Sequence, residues 1–307
     1  MRTAASARTT GRISTWSDRL PACAKISRLC SSGRARCFEG RIVADAAADV
    51  EAIADHFEID KFSVIGRSGG APHALACAAD KRLRDRLLCT AALSSLAPCD
   101  AEDLDWYAGM VESNVQAYQD AAESDLRALI ATIDQHAQRI RNNSQGLLNT
   151  LRPELADADR QVIGDIALRR IIARTHAEAL RESVDGWVDD VIALSRRWSV
   201  TFSDITEPVL LWHGGDDMFS PANHTQWLAG QVPGSELDLR PGAAHFEAIK
   251  ILPEVLSWVL RQMNTAAAPA FTPPEFPPAD PSEGLWDHHA EQSAVGGGRG
   301  DVGMLRS

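Results

Sequence analysis

Apolar and polar positions along this chain follow two rhythms, and the change between them marks out its elements. From Asp45 to His56 an Ala-rich stretch sets Val50, Ile53 and Ala54 three and four apart, the spacing of one helix face. Phe62-Ser63-Val64-Ile65 is then a short buried strand ending at Gly66, followed by a small-residue helix over 69–79 and an apolar strand over 87–93. A strand–turn–helix–strand unit of this kind implies a parallel sheet, because the crossover returns the second strand in the same direction.

Between 101 and 200 the pattern changes. Glu, Asp, Arg, Gln and Leu recur at helical spacing with almost no alternation, so the segment is expected to be a helical insertion between two strand zones. Alternation returns over 207–264. Pro208–Trp212 is predicted as a buried strand, 221–229 as a helix, Glu236–Leu239 as a strand and 246–263 as one closing amphipathic helix. The expected fold class is therefore α/β, a mostly parallel sheet with flanking helices.

Two flanks stand apart from this core. Residues 1–40 show no sustained period, and up to Cys37 they are rich in Arg, Ser and Thr with Asp18 as the only acid. A transit-type leader and a segment foreign to the fold both fit that composition. From 265 to 307 the chain is Pro-, Gly- and Ala-rich. Such a composition buries too little apolar surface to offset its ordering entropy, so a disordered tail is expected.

Charge and cysteine content narrow the function classes. A net charge of −11 over 307 residues argues against a nucleic-acid binder, which needs a basic surface to meet phosphates. No apolar run approaches the roughly 20 residues that span a bilayer, so no membrane partner is expected. Cys23, Cys30, Cys37, Cys77, Cys89 and Cys99 form no CxxC pair and no zinc spacing with histidine. They are read as free thiols, with no metal, and a reducing cytoplasm fits them.

The sharpest chemical signal is Gly66-Arg67-Ser68-Gly69-Gly70, a G-x-S-x-G between a predicted strand and a predicted helix. A strand that turns sharply into a helix crowds its neighbours, and glycine relieves the crowding. The turn lifts the Ser68 hydroxyl to the helix N-terminus, where the Gly69 amide can donate to a developing oxyanion. A serine needs a base, and His245 lies in a loop between the last predicted strand and the closing helix. His213 ends a strand and is expected to pack; His73 falls one turn into the helix after Ser68, facing the sheet or the insertion. Gly214-Gly215-Asp216-Asp217, in the turn after the strand at 208–212, offers two acids. The order Ser, Asp, His is that of a hydrolase sheet. A dinucleotide fingerprint is too long to fit at 66–70, and no phosphate-binding loop follows a strand.

Residues 41–264 resemble the α/β-hydrolase superfamily, especially bacterial esterase and peptidase-like members with a helical cap. The segments that carry the likeness are 62–70, 208–217 and Gly242-Ala243-Ala244-His245-Phe246. The resemblance implies Ser68 as nucleophile, His245 as base and Asp217 as the acid, since it lies three residues after Gly214 and four before Pro221. It implies that 101–200 is a cap, with Asp185–Asp190, Trp187 and Trp198 packing cap to core, and that no cofactor is required. Serine at the elbow departs from the dehalogenase and epoxide hydrolase members, which carry aspartate there. The family's first strands, and the His-Gly loop that gives a second oxyanion donor, are not found before Ser68. Loss of one such donor costs about 10²–10³ in turnover. Two functions are carried forward: hydrolysis of a small ester, thioester or amide through an acyl-enzyme, and a non-catalytic hydrolase-like binding protein.

Overall fold

A computed structural model describes residues 41–123, 126–143 and 152–266. The expected leader (1–40) and nearly all of the expected tail (from 267) lie outside the described residues. Four strands form one parallel sheet in the order β1-β2-β3-β4: Phe62–Arg67, Leu87–Leu93, Val209–Gly214 and Glu236–Arg240. β3 is buried throughout and β2 nearly so, which is why both read as continuous apolar runs rather than alternation.

The helices that cover the sheet follow from its two faces. α1 (Ala46–His56), α2 (Gly70–Ala79) and α8 (Ala222–Gln231) meet the face that carries Ala92, Val209 and Leu211. The opposite face, with Cys89, Ala91, Leu93, Leu210 and Trp212, is covered by α9 (Glu247–Lys250) and α10 (Leu252–Ala266). The alternation of consecutive β2 and β3 residues between these two cores is the period-2 geometry of a strand.

The single closing helix expected over 246–263 is instead two. Pro253 has no N–H to donate, and its ring would clash with the carbonyl of residue 249, so the helix cannot run through. It restarts at Leu252 and continues to Ala266, three residues past the expected end at Met263.

Among the described residues, β1 and β4 are the sheet's edges, and Ile65 on β1 is 37% exposed. The first described strands of the sheet are thus those expected from the sequence, with none preceding β1 in the described part.

Between β2 and β3 the described residues form no strand; besides turns and loops they form α3 (Glu112–Ala122), α4 (Leu126–Asn142), α5 (Asp157–Gly164), α6 (Ile166–Ala179) and α7 (Asp185–Leu194), with short 3-10 turns. The first ten residues of the expected helical stretch are turns. The insertion has its own core, where Leu129, Ile133, Ala137 and Ile140 of α4 meet Val184, Val188, Val191 and Ile192. The spacing of the α4 residues is an amphipathic stripe.

Trp198 is buried with Val43, Ala76 and Leu194 and joins the insertion to the sheet domain, as expected. Trp187 differs from expectation. It packs inside the insertion, stacked on His136 with ring centroids 6.3 Å apart. The aromatic pair lies on α4 and α7, a contact that neither segment's local pattern announces.

Candidate active site

The turn after β1 is where sequence and backbone strain coincide. Ser68 has φ +54°, a left-handed conformation uncommon for a residue with a side chain. It persists because both sides of the turn are fastened: the Ser68 amide donates to Leu93 O at 2.8 Å, and its carbonyl accepts from the Ala71 amide at 2.9 Å. A Cβ on Gly66 would lie 2.2 Å from Gly70 O and 2.7 Å from Ala71 Cα, so strand and helix approach too closely for any side chain there. A Cβ on Gly70 would meet nothing within 4 Å. The steric demand expected of the motif's glycines therefore falls on Gly66 and not on Gly70. Gly69 is the N-cap of α2.

The loop after β3 folds back on the loop after β4. A Cβ on Gly214 would come within 2.6 Å of the Ala243 backbone, and the Asp216 amide donates to Ala243 O at 2.9 Å. That close approach brings Asp217 to His245, with Nδ1 and Oδ2 2.8 Å apart. Of the two acids in the turn, Asp217 is buried against the histidine and Asp216 is exposed.

Asp217 is surrounded by donors. Its Oδ1 accepts from the amides of Phe219 at 2.8 Å and Ser220 at 3.0 Å. Its Oδ2 faces His245, the Ser220 hydroxyl at 3.3 Å and His213 Nε2 at 3.3 Å. Burial alone would raise the Asp217 carboxyl. The charge of His245 and hydrogen bonds from His213 and His245 outweigh it and hold the group well below the usual carboxylate range. An ionised carboxylate only accepts, so His245 Nδ1 carries a proton, and in the neutral ring Nε2 keeps its lone pair.

His213 was expected to be a packing residue, and its contact with Asp217 was missed. It is fully buried, its Nδ1 lies 2.5 Å from Thr225 Oγ1, and its Nε2–H is shared between Ser220 O at 2.6 Å and Asp217. His73 faces the insertion, with Nε2 3.4 Å from Asp190 Oδ1 and Nδ1 3.3 Å from Val43 O.

Ser68, Gly69 and His245 line one cavity of about 890 Å³, whose walls include Tyr118, Ile133 and Trp187 of the insertion. Ser68 and His245 share that cavity but are not hydrogen-bonded to each other. The second group missed from the sequence is Asp159 on α5. Its Oδ1 accepts from the Phe246 amide at 2.7 Å, tying the insertion directly to the histidine loop. Burial pushes its carboxyl up to about 6. No signal in the sequence distinguishes Asp159 from the other acids of the insertion.

The parallel sheet with its flanking helices agrees with a sequence-family comparison. The model described as the alpha/beta hydrolase fold matches residues 14–249. This chain belongs to that family. The match begins at residue 14, within the stretch 1–40. A comparison with curated proteins gives no match.

Solved structures share the fold at low identity. A bromoperoxidase from Bacillus anthracis is similar at 17% identity and TM-score 0.52, covering 75% of this chain and 76% of that one. A meta-cleavage product hydrolase from Pseudomonas fluorescens is 16% identical with TM-score 0.50, over 80% and 85% of the two chains. A putative non-heme bromoperoxidase from Mycobacterium tuberculosis is 15% identical with TM-score 0.50, over 75% and 76%.

Proposed function

We propose that this α/β-hydrolase-fold protein is a serine hydrolase that cleaves a small ester, thioester or amide. The observation that carries the reading is the buried Asp217–His245 pair at 2.8 Å, on a cavity whose wall also holds Ser68 in its strained turn. In this reading His245 Nε2 accepts the Ser68 proton as the hydroxyl attacks the carbonyl, then returns it to the leaving group. Asp217 holds the imidazole tautomer and stabilises the imidazolium that forms. The Gly69 amide, at the N-terminus of α2, donates to the oxyanion. The acyl-enzyme is then released by water along the same path. No cofactor takes part.

The helices from 112 to 194 act as the cap, since residues of α3, α4 and α7 wall the cavity over Ser68. The partner is a small-molecule acyl compound rather than a nucleic acid or a membrane. No helix among the described residues is long and apolar enough to cross a membrane. Free thiols at Cys77, Cys89 and Cys99 support a reducing, cytoplasmic setting.

A second reading, a non-catalytic binding protein on the same fold, is favoured by one observation: Ser68 and His245 are not hydrogen-bonded. Fluorophosphonate labelling of the purified protein separates the two. We expect the wild type to label covalently, and Ser68→Ala and His245→Ala to lose at least 10³-fold in labelling rate. A folded wild type that does not label overturns the hydrolase reading and leaves the binding protein.

A further inference from the structure

Arg67 stands between Gly66 and Ser68, and its environment differs from those of Arg41 and Arg181 on the same cavity wall. Arg41 is paired with Asp49, and Arg181 with Glu178 and Glu182 at 3.3 and 2.8 Å. Arg67 also lines the cavity, yet it forms no ion pair, and its buried Nη1 meets no hydrogen-bond partner among the described residues. A buried guanidinium donor without an acceptor costs free energy that a folded protein seldom leaves uncompensated without a reason.

Two carboxylates lie near enough for their charges to act on Arg67; neither is hydrogen-bonded to it, and Asp159 Oδ2 is itself buried without a partner among the described residues. Asp217 is held by two histidines and two backbone amides. Asp159 gives Oδ1 to the Phe246 amide. Burial lowers the Arg67 pKa, with Asp217 and Asp159 opposing the shift. Arginine titrates far above neutral pH, so the group stays cationic.

The arrangement is a fixed cation on the cavity wall with a buried, unpartnered donor, one residue from the serine. Arg67 and Ser68 both line this one cavity, so a single small molecule in it can meet both. Carboxylate is the group that matches a guanidinium fork, and desolvation in a cavity strengthens the pair. Apolar side chains on the same wall, Ile133, Ile140, Trp187 and Leu194, suit the methylenes between the two ends.

We propose that Arg67 receives a substrate carboxylate, so that the site prefers acyl compounds carrying an anion a few bonds from the scissile carbonyl, such as monoesters of short dicarboxylic acids. The inference rests on Ser68 being the nucleophile.

The test compares monoethyl glutarate with ethyl pentanoate, and monoethyl adipate with ethyl hexanoate, by ethanol release from the purified full chain. Each pair differs by a terminal carboxylate. We expect the wild type to favour the charged ester by about tenfold or more in kcat/KM, the size of a charge-assisted hydrogen bond. In Arg67→Met the charged-to-neutral ratio should fall at least tenfold, and in Arg67→Lys it should fall less.

A wild-type ratio of one or below overturns the proposal without any variant, so a variant that fails to fold does not shelter it. An Arg67→Met that slows both esters equally and keeps the ratio also overturns it, and makes Arg67 a structural counter-charge to Asp159 and Asp217. Fluorophosphonate labelling of the same preparation tells the two failures apart. Labelling without charge preference sinks this inference alone; no labelling removes the Ser68 reading and this inference with it.

Discussion

Gly66 and Gly70 occupy the two glycine positions of one motif, yet only Gly66 is held there by contact. Gly66→Ala would drive a methyl group into the Gly70 carbonyl, 2.2 Å away, and the strand end would have to shift. The expected cost is about 3 kcal/mol, read as a lower urea midpoint at constant slope. Gly70→Ala adds a methyl to open space at the start of α2, where alanine is the better helix former. That variant should be neutral or stabilised by up to about 1 kcal/mol in the same assay.

His213 carries a related lesson. Replacing it with leucine leaves Ser220 O and Thr225 Oγ1 without their imidazole partner in a buried site, and removes one donor from Asp217. The predicted loss is about 2 kcal/mol, together with fluorophosphonate labelling slower than wild type but faster than His245→Ala. Asp217 and His245 were legible because Gly and Pro mark their loops as strand-end turns. His213 was not, because its place in an apolar strand says core. Its role comes from the chain folding back four residues later, which no local period records.

Elements were legible where one physical cause sets them. Val50, Ile53 and Ala54 share a helix face, and α1 forms there; the stretch 209–212 is uniformly apolar, and β3 is buried throughout. The closing helix was misjudged because apolar spacing continues across Pro253 while the hydrogen-bond ladder cannot. Within the insertion, Asp165 offers an unread signal. It is the N-cap of α6, and its Oδ1 accepts from the amides of Ala167 at 2.8 Å and Leu168 at 3.0 Å. Those amides have no intrahelical acceptor, so Asp165→Ala should cost about 1 kcal/mol. Urea unfolding at neutral pH checks it, and Asp165→Asn, which keeps the acceptor, should recover most of the loss.

At the scale of the whole molecule, three buried groups join separate parts of the chain and give its stability a pH dependence of mixed sign. His224 on α8 accepts from the Ala97 amide through Nδ1 at 3.1 Å and faces Trp106 O through Nε2 at 2.9 Å. The Ala97 amide requires the neutral ring, and burial pushes the pKa down to about 4. As pH falls from about 6.5 to about 4, the unfolded chain takes up a proton that folded His224 refuses, and about 3 kcal/mol of stability is lost. Asp159 runs the other way. With its carboxyl raised to about 6, the folded state holds a proton that the unfolded state releases from about 4 upward, so acidification over the same window stabilises by about 3 kcal/mol. Asp217, whose pKa is depressed, contributes stability that is present above the ordinary carboxylate value and lost only below it. The His224 and Asp159 contributions therefore nearly cancel between about pH 6 and 4.5, and the Asp217 contribution is lost below about 4. Single variants should break the balance in opposite senses. Asp159→Asn keeps the acceptor for the Phe246 amide and removes the titration, so the His224 slope emerges and stability falls steadily on acidification from about pH 6.5. His224→Gln removes the opposing slope, so that protein should gain stability as pH drops from about 6 to 4.5. Urea midpoints measured at half-unit intervals decide the matter. If both variants track the wild type in parallel, neither group titrates as its burial and partners require, and the balance between the α5 contact and the α8 contact is wrong.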